Sequence, residues 1–269
     1  ILAPELHGPV GDLAAELARL APDAFTQSPK SLGLKKKEFV SLDSELYLAG
    51  MLRRVHGALG LSAPGLYIRK GSMEPAHLAP SSPPALVVGQ NNSMTQTVDA
   101  SMSRFLLGYQ LSFMRPELFL TGLYPGEQLR ELLMGLCVVY NRSLGGAEHG
   151  GVAKWASHFE KIPGEVLRAL QEPARRAYSH LLNPEPTAGL AKAAHLSAVR
   201  AGLLLAGELG PALRGLQIMP ATAPGLSPEV RLLELTRFAG SKQHLRLREK
   251  IGSGLDVSSS NREVRVEVT

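Results

Sequence analysis

Apolar residues recur along this chain mainly at helical spacing, and the polar gaps between the runs mark where the elements should end. The widest apolar face lies in Ser101–Pro116, at Met102, Phe105, Leu106, Tyr109, Phe113 and Met114, with Pro116 as a stop. That spacing predicts a helix crossing the middle of the domain. Upstream, Asp12–Leu20 aligns Leu13, Leu17 and Leu20 on one face. Asp43–Leu59 aligns Leu46, Leu48, Met51, Leu52, Val55 and Leu59, and Gly60 follows as its cap. Two shorter runs have strand character: Leu66–Arg69 mixes β-branched and aromatic residues, and Ala85–Val88 is continuously apolar between Pro-Pro and Gly. The Ser-, Pro- and Gly-rich segment between them, Lys70–Pro84, reads as a loop.

After Pro116 the pattern is almost wholly helical. Helices are expected over Glu117–Leu123, Glu127–Tyr140, Val152–Lys161, Gly164–Leu182, Thr187–Leu205 and Gly207–Leu216. A Gly-rich connector containing Gly145-Gly146-Ala147-Glu148-His149-Gly150-Gly151 lacks the Gly-Lys-Ser/Thr element of a phosphate loop. A Pro/Gly-rich linker, Pro220–Pro228, leads into a last amphipathic segment with a break at Gly240. Its expected buried face is Val230, Leu232, Leu233, Leu235, Phe238, Leu245 and Leu247. The tail is Ser-rich and then alternates at Val264, Val266 and Val268, as an exposed strand or a disordered linker would. The pattern predicts an α+β fold, mostly α-helical, with a small β-sheet next to the central helix. Residues 1–219 form the helical domain with its sheet, 220–252 a C-terminal helical extension, and 253–269 a tail or linker. No repeat of fixed period supports a solenoid.

Composition narrows the function classes. Hydrophobic residues make up 44% and charged residues 20%, an ordinary globular balance with a low aromatic content of 5%. The net charge of +5 is mild and dispersed, which points away from nucleic acid. Cys137 is the single cysteine, so neither an internal disulfide nor a Cys-based metal cluster can form; its apolar neighbours predict a buried structural thiol. No apolar run is long enough for a membrane span. No signal peptide is visible, and Ile1 in place of Met suggests an excised fragment. A reducing, cytoplasmic setting is the expectation.

Other candidate chemistry is thin. Lys35-Lys36-Lys37 reads as a solvated helix start or loop, or as an anionic partner's landing surface. Arg237, Lys242, His244, Arg246, Arg248 and Lys250 form a solvated basic face, or a docking surface for an acidic partner carried by Arg237, Lys242, Arg246 and Arg248; RNA would demand aromatics among them, and Phe238 alone is near. The eight histidines offer no pair at metal-ligand spacing on one element, and His56 reads as an ordinary helix residue. Gly252-Ser253-Gly254 follows a helix and opens a Ser-rich tail, so it is not a nucleophile turn.

The order strand, loop, strand, helix and long helical half resembles the zinc metallopeptidases of the CaaX-prenyl-protease and heat-shock membrane-protease type. In that family a helix bearing His-Glu-x-x-His follows a strand, and a later helix carries Glu-x-x-x-Asp. Two His at i and i+4 share a helix face and bind zinc, and the Glu between them polarises the metal-bound water. The first motif falls on Tyr109-Gln110-Leu111-Ser112-Phe113, after Phe105-Leu106-Leu107-Gly108; the later one falls on His195–Gly202. The resemblance therefore puts Tyr109 and Phe113 in place of both His ligands and Gln110 in place of the general base. His195 takes the place of the ligand Glu, Val199 that of the Asp, and Arg200 keeps a basic position. An amide cannot take a proton at neutral pH, and one imidazole is not a catalytic zinc site. Arg200–Gly207 also looks like Leu-rich segments of large bacterial proteins that carry tetratricopeptide repeats.

The resemblance implies a degenerate, non-catalytic domain without metal or other cofactor, which binds a protein or peptide as a scaffold within a larger bacterial protein. It implies too that His195 faces Tyr109 and Phe113, with the strand pair beside their helix. The alternatives are an enzyme of unrelated chemistry whose residues converge only in three dimensions, and a plain helical scaffold with no ancestral site, in which Tyr109 and Phe113 are packing residues of the core.

Overall fold

The computed structural model describes residues 1–73, 76–91, 99–124, 126–143, 150–219 and 226–255. Among these, eleven α-helices accompany one four-stranded sheet, an α+β fold that is mostly helical. Helix α1 (Pro9–Leu20) has Pro9 at its first position and buries Leu13 and Leu17 completely. Helix α2 (Tyr47–Ala58) starts later than its apolar spacing suggests. Residues 42–45 form a turn closed by Ser44 N–H donating to Ser41 O, which leaves Leu46 half exposed.

The sheet contains strands β1 (Phe39–Val40), β2 (Gly65–Arg69), β3 (His77–Ala79) and β4 (Ala85–Gly89), in spatial order β1-β2-β4-β3. Strands β2 and β4 run parallel in the register Leu66↔Leu86 and Ile68↔Val88; the two outer pairs are antiparallel. Strand β4 is buried along its whole length, and its alternation divides it between two clusters. Leu86 and Val88 join Leu66 in the main core, while Ala85 and Val87 pack with Leu34 and Ala79 on the other face. Strand β3 lies inside the segment expected to be a loop. Its sequence, His-Leu-Ala, has little strand propensity, and pairing with β4 makes it a strand. Strand β1 was equally invisible: it is two residues long and draws its partner from β2.

Helix α3 (Ala100–Ser112) is the predicted central helix. The Asp99 carboxylate caps it by accepting from the Met102 N–H at 2.9 Å, and Ala100, Arg104 and Gln110 alone within it escape full burial. It touches the sheet through β3. Helices α4 (Pro116–Leu123), α5 (Glu127–Tyr140), α6 (Gly150–Phe159) and α7 (Gly164–Leu181) follow close to their expected bounds. Helix α8 (Glu185–Ala206) is the longest, stops at Gly207 in the left-handed region (φ 80°), and packs along α3 more extensively than any other two elements pack. Helix α9 (Leu209–Ile218) packs back against α3.

The C-terminal segment breaks at Gly240 into α10 (Pro228–Ala239) and α11 (Lys242–Leu255). Ser227 caps α10 and Pro228 opens it. Its buried face differs from the expected one. Leu235 and Phe238 enter the main core, but Leu232 and Leu233 are 45% and 50% exposed, and Leu245 of α11 is 60% exposed. The helix presents Arg231, Leu235 and Phe238, spaced i, i+4 and i+7, to the interior instead. The connector residues 144–149 with His149, most of the 220–228 linker and the tail from 256 lie outside the described residues. No described helix is long and apolar enough to cross a membrane.

Candidate functional site

Tyr109 stands on α3 and Phe113, one turn further on, is its C-terminal cap residue; His195 reaches them from α8. The Tyr109 hydroxyl oxygen lies 2.5 Å from His195 Nδ1. The Phe113 ring meets the imidazole edge-on at 5.1 Å between centroids, and meets Tyr109 at 5.5 Å with the planes 73° apart. The Tyr109 and His195 rings are 6.0 Å apart and inclined by 29°. All three are at least nine-tenths buried. These positions are 86 residues apart in sequence, and the packing of α3 on α8 brings them into one cluster.

Burial pushes the His195 imidazole down to about 4, and the positive charge of Arg231 adds to the effect. The imidazole is therefore neutral at pH 7. Either the phenol donates to an unprotonated Nδ1, or a protonated Nδ1 donates to the phenol oxygen; both use the neutral ring.

The other positions singled out by sequence are spread around this cluster. Gln110 is half-buried on α3. Val199, one turn beyond His195, is fully buried in the main core and offers no polar atom. Arg200 forms an ion pair with Glu234 of α10 and lies over the Phe238 ring at 5.8 Å. Arg237, Lys242 and Arg246 are exposed on α10 and α11. Arg248 turns inward: its guanidinium donates to Leu204 O at 3.0 Å, satisfying a carbonyl in the last turn of α8. Lys36 and Lys37 are exposed in a short 3-10 turn, Lys36–Glu38.

Two residues of the cluster's surroundings escaped sequence reasoning. Arg231 is 5% exposed and close enough for its charge to be felt by His195. Its signal was available, since it interrupts the apolar stripe that Leu235 and Phe238 continue. Gly202 was noted only as a letter in the later motif; its role comes from its contact with α3. Cys137, His56 and His158 are tied into the fold away from the cluster. Cys137 is buried, its thiol pushed up to about 12 by desolvation, with Sγ 3.5 Å from Ala174 O. His56 Nδ1 pairs with Leu61 O, and His158 Nε2 with Ala24 O.

The zinc of the catalytic members of the resembled family does not fit this donor set. A phenol, a phenyl ring and a single imidazole already engaged by the phenol do not make the three nitrogen or carboxylate ligands of a catalytic zinc. Among the described residues no three His, Cys, Asp or Glu side chains come together at coordinating distance. No protein-family model, no curated protein and no solved structure matches this chain.

Proposed function

We propose that this chain is a non-catalytic, metallopeptidase-shaped domain that serves as a protein-interaction or scaffold module within a larger bacterial protein. One observation carries the reading. The three positions that resemble metal ligands, distant in sequence, meet in space and hold one another by a 2.5 Å hydrogen bond and edge-on ring contacts. Aromatic packing takes up the region where a peptidase of that type would need ligands and a water, and the position of the base is an amide. The interaction role follows from the resemblance once the chemistry is set aside, and the exposed Arg237, Lys242 and Arg246 are the surface cations available to an acidic partner.

The test is metal content and peptide hydrolysis. The protein equilibrated with zinc and passed through a desalting column should retain far less than one zinc per chain, equally in wild type and His195→Ala, and should cleave no peptide library. One zinc per chain, lost in His195→Ala, would overturn the reading and make the cluster a metal centre.

A further inference from the structure

A second feature lies beside the α3–α8 packing. A cavity of about 230 Å³, open on one side, is lined by α2, α3, α4, α8 and α11 together with Ile1 and Leu2. Its body is apolar, built from Ala58, Leu118, Leu204, Leu247 and Ile251. The two serines in its wall are engaged with their own helices: Ser112 donates to Gly108 O at 2.6 Å, and Ser197 to Ala193 O at 2.8 Å. Arg115, half-buried at the junction of α3 and α4, is the charged side chain of the lining, and no carboxylate lines the cavity among the described residues. Arg200 lies beside this lining, its guanidinium donating to Ile1 O at 3.4 Å. Arg200 is already paired with Glu234.

An apolar chamber with one cationic side chain at its edge suits a ligand that is apolar along its length and anionic at one end. We infer that this cavity binds a medium-chain aliphatic carboxylate, its chain among the leucines and Ile251 and its carboxylate on Arg115. The size sets the length. An apolar cavity of ~150 Å³ holds a benzene, so this one holds a chain of about nine heavy atoms. The guanidinium fork matches a carboxylate in a bidentate manner, which a neutral or cationic head group cannot use. The site shares no residue with the Tyr109–His195 cluster and stands whether or not that cluster is a relic of a peptidase.

Octanoate is the probe, titrated by calorimetry at pH 7.5 into the 269-residue protein. Wild type should bind octanoate at least tenfold more tightly than octylamine. Arg115→Gln should lose octanoate affinity at least tenfold and keep its 1-octanol affinity within twofold. Ala58→Phe, which fills the chamber from α2, should lose both ligands; Ile251→Trp fills it from α11 if the first variant does not fold. No binding at millimolar octanoate, equal affinity in Arg115→Gln, or binding that persists in the filled variants would each overturn the assignment.

Discussion

Gly108 of α3 and Gly202 of α8 face each other without room for a methyl group. A β-carbon on Gly108 would stand 3.1 Å from Gly202 Cα and 2.6 Å from Leu205 Cδ1. One on Gly202 would meet the Phe105 backbone oxygen at 2.8 Å. The two backbones touch at this point, and that approach sets the spacing at which Tyr109 and His195, on the same two helices, come within hydrogen-bond reach. Gly202→Ala should therefore destabilise the fold by about 1–3 kcal/mol, because a backbone oxygen cannot move aside as a side chain can. Gly189→Ala, on the same helix but in open space, should be neutral or stabilising by up to ~1 kcal/mol through helix propensity. Urea denaturation of the two variants checks the contrast, and similar midpoints for both would remove the argument.

The Tyr109–His195 pair makes a second prediction. Tyr109→Phe removes the hydroxyl and leaves His195 Nδ1 buried without its partner, at a cost of about 1–3 kcal/mol. Replacing both, as Tyr109→Phe with His195→Phe, removes donor and acceptor together and should cost less than the two single changes summed. A double-mutant cycle on unfolding free energies measures the coupling. Strict additivity would mean that the two groups do not interact.

Much of this arrangement was legible from sequence, for a physical reason. Tyr109 and His195 lie on the two helices whose residues are apolar or small nearly all round, which marks both as interior helices and so as packing partners, with Phe113 at the end of the first. The resemblance then aligned the helices closely enough to expect the three to meet. What stayed hidden depends on contacts between distant segments. Strand β3 is a strand because β4 lies beside it, and Gly202 matters because Phe105 lies opposite. Helix α10 shows the limit of periodicity: its leucines suggested one buried face, and the structure chose the neighbouring one, with Arg231 inside and Leu232 and Leu233 out. The balance of apolar area between two overlapping faces is decided by what packs against the helix.

Arg248 and Arg246 are neighbours with opposite fates, which gives a third prediction. Arg248 holds the Leu204 carbonyl at the end of α8, and Arg246 is exposed. Arg248→Met should cost about 1–2 kcal/mol by stranding that carbonyl, while Arg246→Met should stay within ~0.5 kcal/mol of wild type. Thermal unfolding resolves the difference, since 1 kcal/mol moves the midpoint by roughly 2–4 °C at this size. Equal losses would mean that the cap contributes nothing.

The last prediction concerns acid. His195 is held at about 4 in the folded protein, against the ordinary value of about 6.5 for an exposed imidazole. Between these two values the unfolded chain binds the proton more readily than the folded one, so stability rises with pH across this window and falls as pH is lowered through it. Above pH 6.5 the contribution is fully present; by pH 4 about 3 kcal/mol has been lost. His195→Phe removes the titrating group, so its unfolding free energy should depend less steeply on pH between 6.5 and 4 than that of wild type. Arg231→Met separates the two causes. Removing the nearby charge should raise the imidazole pKa while burial still holds it below its ordinary value, as proton NMR titration of the ring would read directly. A His195 ring that titrates near 6.5 in wild type would show that water reaches it, and the buried Tyr109–His195 hydrogen bond would have to be abandoned.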